Sequence, residues 1–351
     1  FKRLPSLRFR LMNKVLLALS GGVDSSVSAE LLKHMGYEVA GVVMMMSDAH
    51  VKTLEAARAS ARALGIRLFE LDLRKEFKAE IIDYFAGEYL SGKTPSPCVR
   101  CNPRIKFKYL LKTALENGYD YIATGHYANI VFEDGVYKLK RAKSAARDQS
   151  YMLAGLRQDV LSRLILPLAD IEKDEVRAIA DKLGLPCRNA PDSQENCFIP
   201  DNNYALYIEN NYRPAPEGNF ISPEGEICGR HKGIIHYTIG QRKGLGIALG
   251  RPAFVSEINA ERNEIRLSYE KAVTNEVMLG NVSEVFAGAV KDGGRYFCKL
   301  RSVGKLLGCR ASLLDCGNIL LKLDAPEPRV SAGQAGVIYD GDTVLGMGTI
   351  Q

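Results

Sequence analysis

The chain has 351 residues, of which 46% are hydrophobic and 25% charged, and its 47 Lys and Arg against 41 Asp and Glu give a formal net charge of +6. This length favours two or three domains, and the composition excludes collagen-like, coiled-coil and wholly disordered chains. No apolar run reaches the ~18 residues that a membrane-spanning helix needs, so we expect no membrane partner. The mild positive charge permits an anionic partner without requiring one.

The first thirteen residues precede the first predicted strand. Residues 1–11 are basic and contain no acidic residue, and Met12 stands directly before Asn13 and that strand. We therefore expect Met12 to be the natural start and residues 1–13 to be a non-native or disordered extension without function.

Short apolar runs alternate with helical patterns through the first half of the chain. The predicted strands are Val15–Leu19, Val39–Met46, Arg67–Asp72 and Tyr119–Thr124. The predicted helices are 27–35, Leu54–Leu64, Lys75–Tyr89, Ile105–Glu116 and Lys173–Lys182. This alternation predicts an α/β domain over residues 14–204, with a parallel sheet covered on both faces and ligands bound beyond the carboxyl ends of its strands.

The sequence pattern changes near residue 205, from alternating strands and helices to shorter elements. Prolines at 186, 191 and 200 and the stretch Arg213–Gly218 break any long element. Beyond Phe254, short runs with a period of two residues are separated by turn signals. These patterns predict a small central domain over residues 205–268 and a C-terminal β-barrel over residues 269–351.

A glycine turn joins the first predicted strand to the first predicted helix. It reads SGGVDSS over Ser20–Ser26, so backbone amides and the positive end of a helix point at one place. The glycines permit close approach of a phosphate, and Asp24 would repel that phosphate unless Mg²⁺ lay between them. Because a Walker A lysine is absent, we predict a site for magnesium pyrophosphate that differs from an ordinary P-loop.

Eight cysteines are too few for a small disulfide scaffold, which favours a reducing, cytoplasmic compartment. Cys98 and Cys101 lie in a proline-rich segment, predicted to be a loop, and Cys197 lies in a second loop. Three cysteines on two loops fit a metal or iron-sulfur site with an open position, or a redox pair with a neighbour. Basic residues in and after the Cys98–Cys101 segment should favour the thiolate form of these cysteines; they are Arg100, Arg104 and Lys106.

The other five cysteines are isolated in the sequence. They are Cys187, Cys228, Cys298, Cys309 and Cys316. Isolated cysteines usually behave as small buried apolar side chains, so we assign them no role.

The glycine turn resembles the PP-loop of the ATP pyrophosphatases, which cleave ATP to AMP and pyrophosphate while adenylating a substrate. Further blocks narrow the resemblance to the tRNA-specific 2-thiouridylases, the MnmA or TrmU family. These blocks are TPSPCVRCNPRIKF at 94–107, ATGHYA at 123–128, RDQSYML at 147–153, PDSQENCFIP at 191–200, GRHKGIIHYTIGQRKGLGI at 229–247 and AGQAGVIYDG at 332–341. The resemblance runs over nearly the whole chain.

The resemblance implies a PP-loop ATPase domain, a central domain and a C-terminal β-barrel, and conversion of the wobble uridine of Lys, Glu and Gln tRNAs to 2-thiouridine. Cys101 then resembles the nucleophile and Cys197 the carrier of a persulfide. The implied ATP contacts are Ala18, Leu19, Ser20, Gly21, Gly22, Val23, Asp24, Ser25, Met44 and Gly125. The implied tRNA contacts are His126, Arg147, Asp148, Gln149, Arg301 and Gln334.

One departure from the family pattern bears on the route of the sulfur. Many members have Asp where this chain has Cys98, so three thiols converge here. Such a site resembles related tRNA thiolases in which three cysteines hold a 4Fe-4S cluster. The alternatives are a persulfide on Cys197 resolved by Cys101 and a cluster held by Cys98, Cys101 and Cys197, and the sequence favours the cluster.

The expected partners are the anticodon region of tRNA and a sulfur donor, such as a cysteine desulfurase or a sulfur relay protein. The predicted basic surface includes Lys106, Lys108, Lys112, Arg242 and Lys243. Two rival functions remain: a PP-loop ligase or thiolase that acts on another tRNA position or on a small molecule, and a metal-stabilised RNA-binding protein without catalysis.

Overall fold

The structure, a computed structural model, describes residues 13–190, 196–199, 201–328 and 330–351. The predicted N-terminal extension, apart from Asn13, and most of the segment before Cys197 lie outside these ranges. No helix in the described ranges combines the length and apolar character needed to cross a membrane.

A five-stranded parallel sheet forms the N-terminal domain, as predicted, with strand order β3-β2-β1-β4-β7. Its strands are β1 (Lys14–Ala18), β2 (Glu38–Met45), β3 (Leu68–Asp72), β4 (Tyr121–Ala123) and β7 (Leu164–Ile165). On β1, Leu16 packs into one core cluster, whereas Val15 and Leu17 pack into another. Both faces of the sheet are therefore covered, which explains the continuous apolar run.

Helices cover this sheet and end near residue 211. They are α1 (Val23–His34), α2 (Val51–Leu64), α3 (Arg74–Phe77), α4 (Asp83–Leu90), α5 (Pro97–Cys101), α6 (Phe107–Glu116), α7 (Ser150–Leu153), α8 (Gln158–Leu161), α9 (Lys173–Lys182) and α10 (Tyr204–Asn211). A π-helical turn over Lys78–Ile82 joins α3 to α4, and another over Asn102–Lys106 joins α5 to α6. The remaining short helical turns are 3-10, over Asp48–His50 and Ile234–His236.

The predicted loop around Cys98 and Cys101 is wrong, because this segment is helical. Pro97 occupies the first turn of α5, where the missing N–H of proline costs nothing. Pro103 lies inside the π turn. The helix is locally wider there, so it tolerates the loss of the hydrogen bond that proline, without an N–H, cannot donate. The prolines therefore shape one continuous helical rod instead of breaking it.

The central domain has a four-stranded sheet with order β10-β11-β8-β9. Its strands are β8 (Gly218–Ile221), β9 (Ile227–His231), β10 (Phe254–Asn259) and β11 (Glu264–Ser268). β8 and β11 run parallel, and the other two pairings are antiparallel.

Six strands close into the predicted C-terminal barrel. They are β12 (Val273–Glu284), β13 (Arg295–Lys299), β14 (Leu307–Leu313), β15 (Ile319–Pro328), β16 (Ala335–Asp340) and β17 (Thr343–Ile350). Pairing of β12 with both β15 and β17 completes the ring and removes its open edges.

A hairpin from the N-terminal half extends the barrel sheet. Its strands are β5 (Ala128–Glu133) and β6 (Val136–Arg141), and β6 pairs with β17. The sequence did not predict this hairpin. It ties the segment that follows β4 to the last strand of the chain.

Candidate active site

The glycine turn lies at the carboxyl end of β1, where α1 begins at Val23. No side chain caps α1, so the amides of its first turn remain open to a ligand. The hydroxyls of Ser20 and Ser25 lie 3.2 Å apart, and the Ser25 hydroxyl also donates to the carbonyl of Gly22. Open amides beside hydroxyls at the positive end of a helix fit a polyphosphate.

Two glycines allow close packing around this turn. Gly21 has a φ of +75°, and a Cβ built on it would lie 2.3 Å from the backbone carbon of Ala56 in α2. A Cβ on Gly125, after β4, would lie 2.9 Å from the backbone carbon of Asp24. Both positions therefore require glycine, and Gly125 is brought against the turn.

Gly21→Ala is expected to destabilise the folded protein by at least ~1–3 kcal/mol, because the added methyl group meets α2 backbone at a positive φ. Thermal unfolding without nucleotide measures this loss. Gly22→Ala is the matched control, since its Cβ would meet only the Ser20 hydroxyl at 3.5 Å. Equal melting temperatures for the two variants would contradict the packing argument.

A buried lysine neutralises the acidic residue of the turn. Lys173, the first residue of α9, donates to both carboxylate oxygens of Asp24 at 2.8 Å, and the Tyr127 hydroxyl donates to the same carboxylate at 2.8 Å. The Lys173 side chain is 8% exposed. Sequence reasoning missed Lys173, because it lies 149 residues from Asp24 and looks like an ordinary helix-start residue.

The second half of the site is built on the rod from α5 to α6. Cys98 is exposed, whereas Cys101, one helical turn further on, is buried. Asn102 is 2% exposed and donates to the carbonyl of Met152 at 2.7 Å, which fixes the rod against α7.

The C-terminal barrel holds the segment that leads into this rod. The Gln334 amide donates to the carbonyl of Thr94 at 3.0 Å, and the amide of Ala335 donates to the Ser96 hydroxyl at 3.3 Å. Gly333 comes so close that its Cβ would lie 3.1 Å from the Thr94 carbonyl oxygen. The side chain of Gln334, a predicted tRNA contact, is thus engaged by the segment before the rod in this structure.

Cys197 reaches the same site through an aromatic anchor. The adjacent Phe198 is 4% exposed, and its ring lies 5.7 Å from that of Phe77 and 5.2 Å from that of Phe85, both edge-on. Tyr207 of α10 packs on its far side at 5.7 Å. These rings fix the backbone at Cys197, the residue itself being exposed.

The three cysteines interact electrostatically with one another and with Lys106. Burial raises the pKa of Cys101 to about 12, and the Lys106 ammonium opposes this rise. Although Cys197 is exposed as a residue, protein surrounds its sulfur, and this burial raises its pKa as well. Burial alone would lower the pKa of Lys106, but the three neighbouring sulfurs raise it, and the overall shift is upward.

The expectation that all three basic residues favour thiolates is therefore wrong. Arg100 donates to the carbonyl of Glu80 at 2.9 Å, and Arg104 donates to the Glu80 carboxylate at 3.2 Å. Both arginines are engaged by the π turn before α4, which leaves Lys106 as the cation at the thiols. Burial outweighs its effect on Cys101, whose raised pKa keeps the thiol protonated at neutral pH.

The three thiols share one neighbourhood without surrounding a single ion. No three Cys, His, Asp or Glu side chains within the described ranges are arranged to hold one metal ion, and this includes Cys98, Cys101 and Cys197. Their electrostatic interactions with one another and with Lys106 place them in that neighbourhood.

His126 joins the two halves of the site. It follows Gly125, which contacts the glycine turn, and its Nδ1 lies 2.7 Å from the Thr124 hydroxyl. Burial lowers the pKa of His126 to about 3, with Lys106 as the second cause, so the ring is neutral at physiological pH. Through Gly125 and His126, the turn and the cysteines share one site.

The other predicted tRNA contacts have different surroundings. Asp148 has a fully buried carboxylate that accepts hydrogen bonds from the Ser150 amide and hydroxyl, both at 3.1 Å. Gln149 exchanges hydrogen bonds with the Tyr127 backbone, at 2.8 and 2.9 Å, while Arg147 is exposed. Arg301 lies on the barrel, 3.7 Å from the Glu327 carboxylate.

Met44, a predicted ATP contact, is 8% exposed in the core beside the carboxyl end of β2. Two of the cysteines without a role are not isolated, because Cys298 and Cys309 lie on neighbouring barrel strands and each thiol affects the pKa of the other. The sequence could not show this pairing, since eleven residues separate the two.

Three protein families match successive parts of the chain. They are described as the tRNA methyl transferase HUP domain, over residues 13–201, the tRNA methyl transferase PRC-barrel domain, over 207–269, and the aminomethyltransferase beta-barrel domain, over 277–350.

Full-length relatives are also found. Proteins named tRNA-specific 2-thiouridylase MnmA from Lachnoclostridium phytofermentans, Acetivibrio thermocellus and Clostridioides difficile are 44%, 41% and 41% identical to the chain. The alignments cover 97%, 96% and 96% of this chain and 99%, 99% and 98% of the relatives.

Solved structures give only distant likenesses. An NMN synthetase from Francisella tularensis is 16% identical, with a TM-score of 0.35, over 52% of this chain and 67% of that one. A predicted subunit of tRNA methyltransferase from Methanocaldococcus jannaschii is 20% identical, with a TM-score of 0.32, over 49% and 76%. These scores are too low to bear on function.

Proposed function

The chain belongs to the tRNA-specific 2-thiouridylase family, and from this premise we propose that it transfers sulfur to carbon 2 of the wobble uridine of Lys, Glu and Gln tRNAs at the expense of ATP. The observation that carries this proposal is the position of Gly125 and His126. Gly125 contacts the glycine turn, and His126 lies near the Lys106 ammonium, which in turn interacts with the three thiols. A site for activating an oxygen and a site for delivering sulfur are thus adjacent.

In the first step, the carbon-2 oxygen of the uridine attacks the α-phosphorus of ATP and pyrophosphate leaves. The open amides of α1 and the Ser20 and Ser25 hydroxyls would hold the leaving pyrophosphate. Lys173, beside Asp24, would add a cation there. Mg²⁺ would bind through phosphate oxygens and Asp24, and would offset the negative charge that the departing pyrophosphate develops.

In the second step, the terminal sulfur of a persulfide on Cys197 attacks carbon 2 and AMP leaves. The Cys101 thiol then attacks the Cys197 sulfur and gives its proton to the departing 2-thiouridine, which leaves a disulfide between Cys101 and Cys197. An external reductant restores both thiols, and a sulfur donor protein reloads Cys197. We place this chemistry in the cytoplasm, where such reductants keep thiols reduced.

Lys106 is expected to set the pH dependence of the thiols. A thiolate forms as pH rises through the cysteine pKa, so removing the ammonium in Lys106→Met should raise the pKa of Cys197 and Cys101 further. If the pKa of Cys197 rises by about one, its alkylation at about pH 8 should slow roughly tenfold. Lys106→Arg should restore the pH dependence of alkylation. If Lys106 is purely structural, Lys106→Met should lower the melting temperature and leave that pH dependence unchanged.

The test of function is AMP and 2-thiouridine formation by the purified protein with ATP, a persulfide donor and tRNA. Both products should depend on tRNA. AMP formation with a small-molecule acceptor and without tRNA would instead support the rival PP-loop ligase. Binding of tRNA without ATP consumption would support a non-catalytic RNA-binding protein.

The cluster route, which the sequence favoured, is separated from the persulfide route by iron and acid-labile sulfide assays on anaerobically purified protein. We expect thiolation by iron-free protein, in which a persulfide on Cys197 delivers the sulfur. A brown protein that loses its iron in Cys98→Ser would overturn the persulfide proposal.

A further inference from the structure

A basic cavity in the central domain lies apart from the nucleotide and cysteine sites. The loop over residues 241–254 leaves the fold at Gln241 and returns at Val255, where the Val255 amide donates to the Gln241 carbonyl at 2.9 Å. Leu245, 8% exposed, anchors the loop in the core. The loop folds around a cavity of about 310 Å³ that is open to solvent on one side and is lined, among others, by Arg242, Gly246 and Arg251.

The backbone of this loop has unused donors. None of the amides of residues 242–251 donates a hydrogen bond to any residue that the structure describes. Gly244, Gly246 and Gly250 have φ values of +76°, +70° and +70°. These φ values favour glycine, and the missing side chains let an anion approach the backbone closely.

The charges around the cavity favour an anion. Arg242 and Lys243 form no ion pair with an acidic residue in the described ranges. Arg251 stacks on the Tyr269 ring with its guanidinium carbon 3.4 Å from the ring centroid, and it helps to lower the pKa of the exposed Glu224. No acidic side chain lines the cavity itself.

We propose that this cavity is a phosphate subsite that binds a backbone phosphodiester of the tRNA, with Arg242 and Arg251 as the cations and the loop amides as neutral donors. The inference rests on the proposed function and deepens it by adding a contact away from the reacting base. A planar guanidinium held on an aromatic ring is pre-organised for a phosphate, and the glycines let that phosphate approach the backbone.

The test compares tRNA affinity of the full-length wild type with that of the double variant Arg242→Gln, Arg251→Gln over a range of salt concentrations. Loss of two contacts should lower the slope of log affinity against log salt by about 1.5. At 0.1 M salt, this corresponds to a roughly thirtyfold weaker affinity.

Arg266→Gln is the matched control, since Arg266 is an exposed central-domain arginine paired with Glu257 at 3.7 Å. A double variant that binds tRNA as this control does would overturn the subsite while thiolation by the wild type upholds the proposed function. Thermal melting with and without inorganic phosphate tests the other source of the anion. If the double variant binds tRNA normally but phosphate no longer raises its melting temperature as it does that of the wild type, the cavity binds a free anion and the inference is wrong. A wild type that neither binds tRNA nor forms AMP overturns both proposals.

Discussion

Cys197→Ser is expected to abolish 2-thiouridine formation, by at least ~10³-fold, and to leave pyrophosphate release on adding ATP and tRNA intact. A serine hydroxyl cannot carry a persulfide, whereas the glycine turn that activates the oxygen is untouched. Cys197 is also exposed on an anchored backbone, so the substitution costs little stability. Quantifying thiolated nucleoside and pyrophosphate in the same reaction separates the two steps.

Cys316→Ser provides the control, because Cys316 is also exposed but lies in a turn of the C-terminal barrel. Its thiolation should equal that of the wild type. The proposed role of Cys197 fails if Cys197→Ser still thiolates tRNA. Activity of that variant would transfer the persulfide to Cys98, the other exposed cysteine residue beside Lys106 and Cys101.

Lys173→Met is expected to reduce pyrophosphate release by ~10²–10³-fold, the usual loss when one pre-organised electrostatic contact to a leaving group is removed. The variant also leaves Asp24 without its cation at the place where phosphate must bind. Like charges would then face each other across the site, so ATP affinity should fall together with the rate. Single-turnover measurements with saturating ATP distinguish the two losses.

Two variants make this prediction specific. Lys182→Met removes an exposed lysine from the other end of α9 and should behave as the wild type. Lys173→Arg keeps the charge and should recover part of the activity. If Lys173→Met retains full pyrophosphate release and merely melts at a lower temperature, the contact with Asp24 is structural and Lys173 has no part in the reaction.

The N-terminal fold could be predicted because its strands are buried on both faces and appear as continuous apolar runs, as at Val15–Leu19. The attachment of the hairpin of β5 and β6 to the barrel could not, because its pairing partner β17 lies about two hundred residues further along the chain. The prolines around Cys98 predicted a loop because proline usually breaks a helix. In the structure, Pro97 and Pro103 occupy helical positions that tolerate proline.

The composition of the candidate site was predictable only where its residues are close in sequence. The glycine turn and the pair Cys98 and Cys101 are local patterns, and Cys197 carried its own signal. Lys173 and the orientation of Arg100 towards Glu80 are products of tertiary packing, so neither has a sequence signature. Residue type likewise gave no indication that the Asp148 carboxylate is fully enclosed.

The contacts that Gln334 and Ala335 make with Thr94 and Ser96 couple the order of the thiols to the stability of the barrel. Local opening of β16 and β17 would leave every reactive side chain in the chain, but would remove the support at the start of the rod that carries Cys98 and Cys101. The barrel therefore contributes to sulfur transfer at a distance, by holding the backbone from which two of the three thiols project.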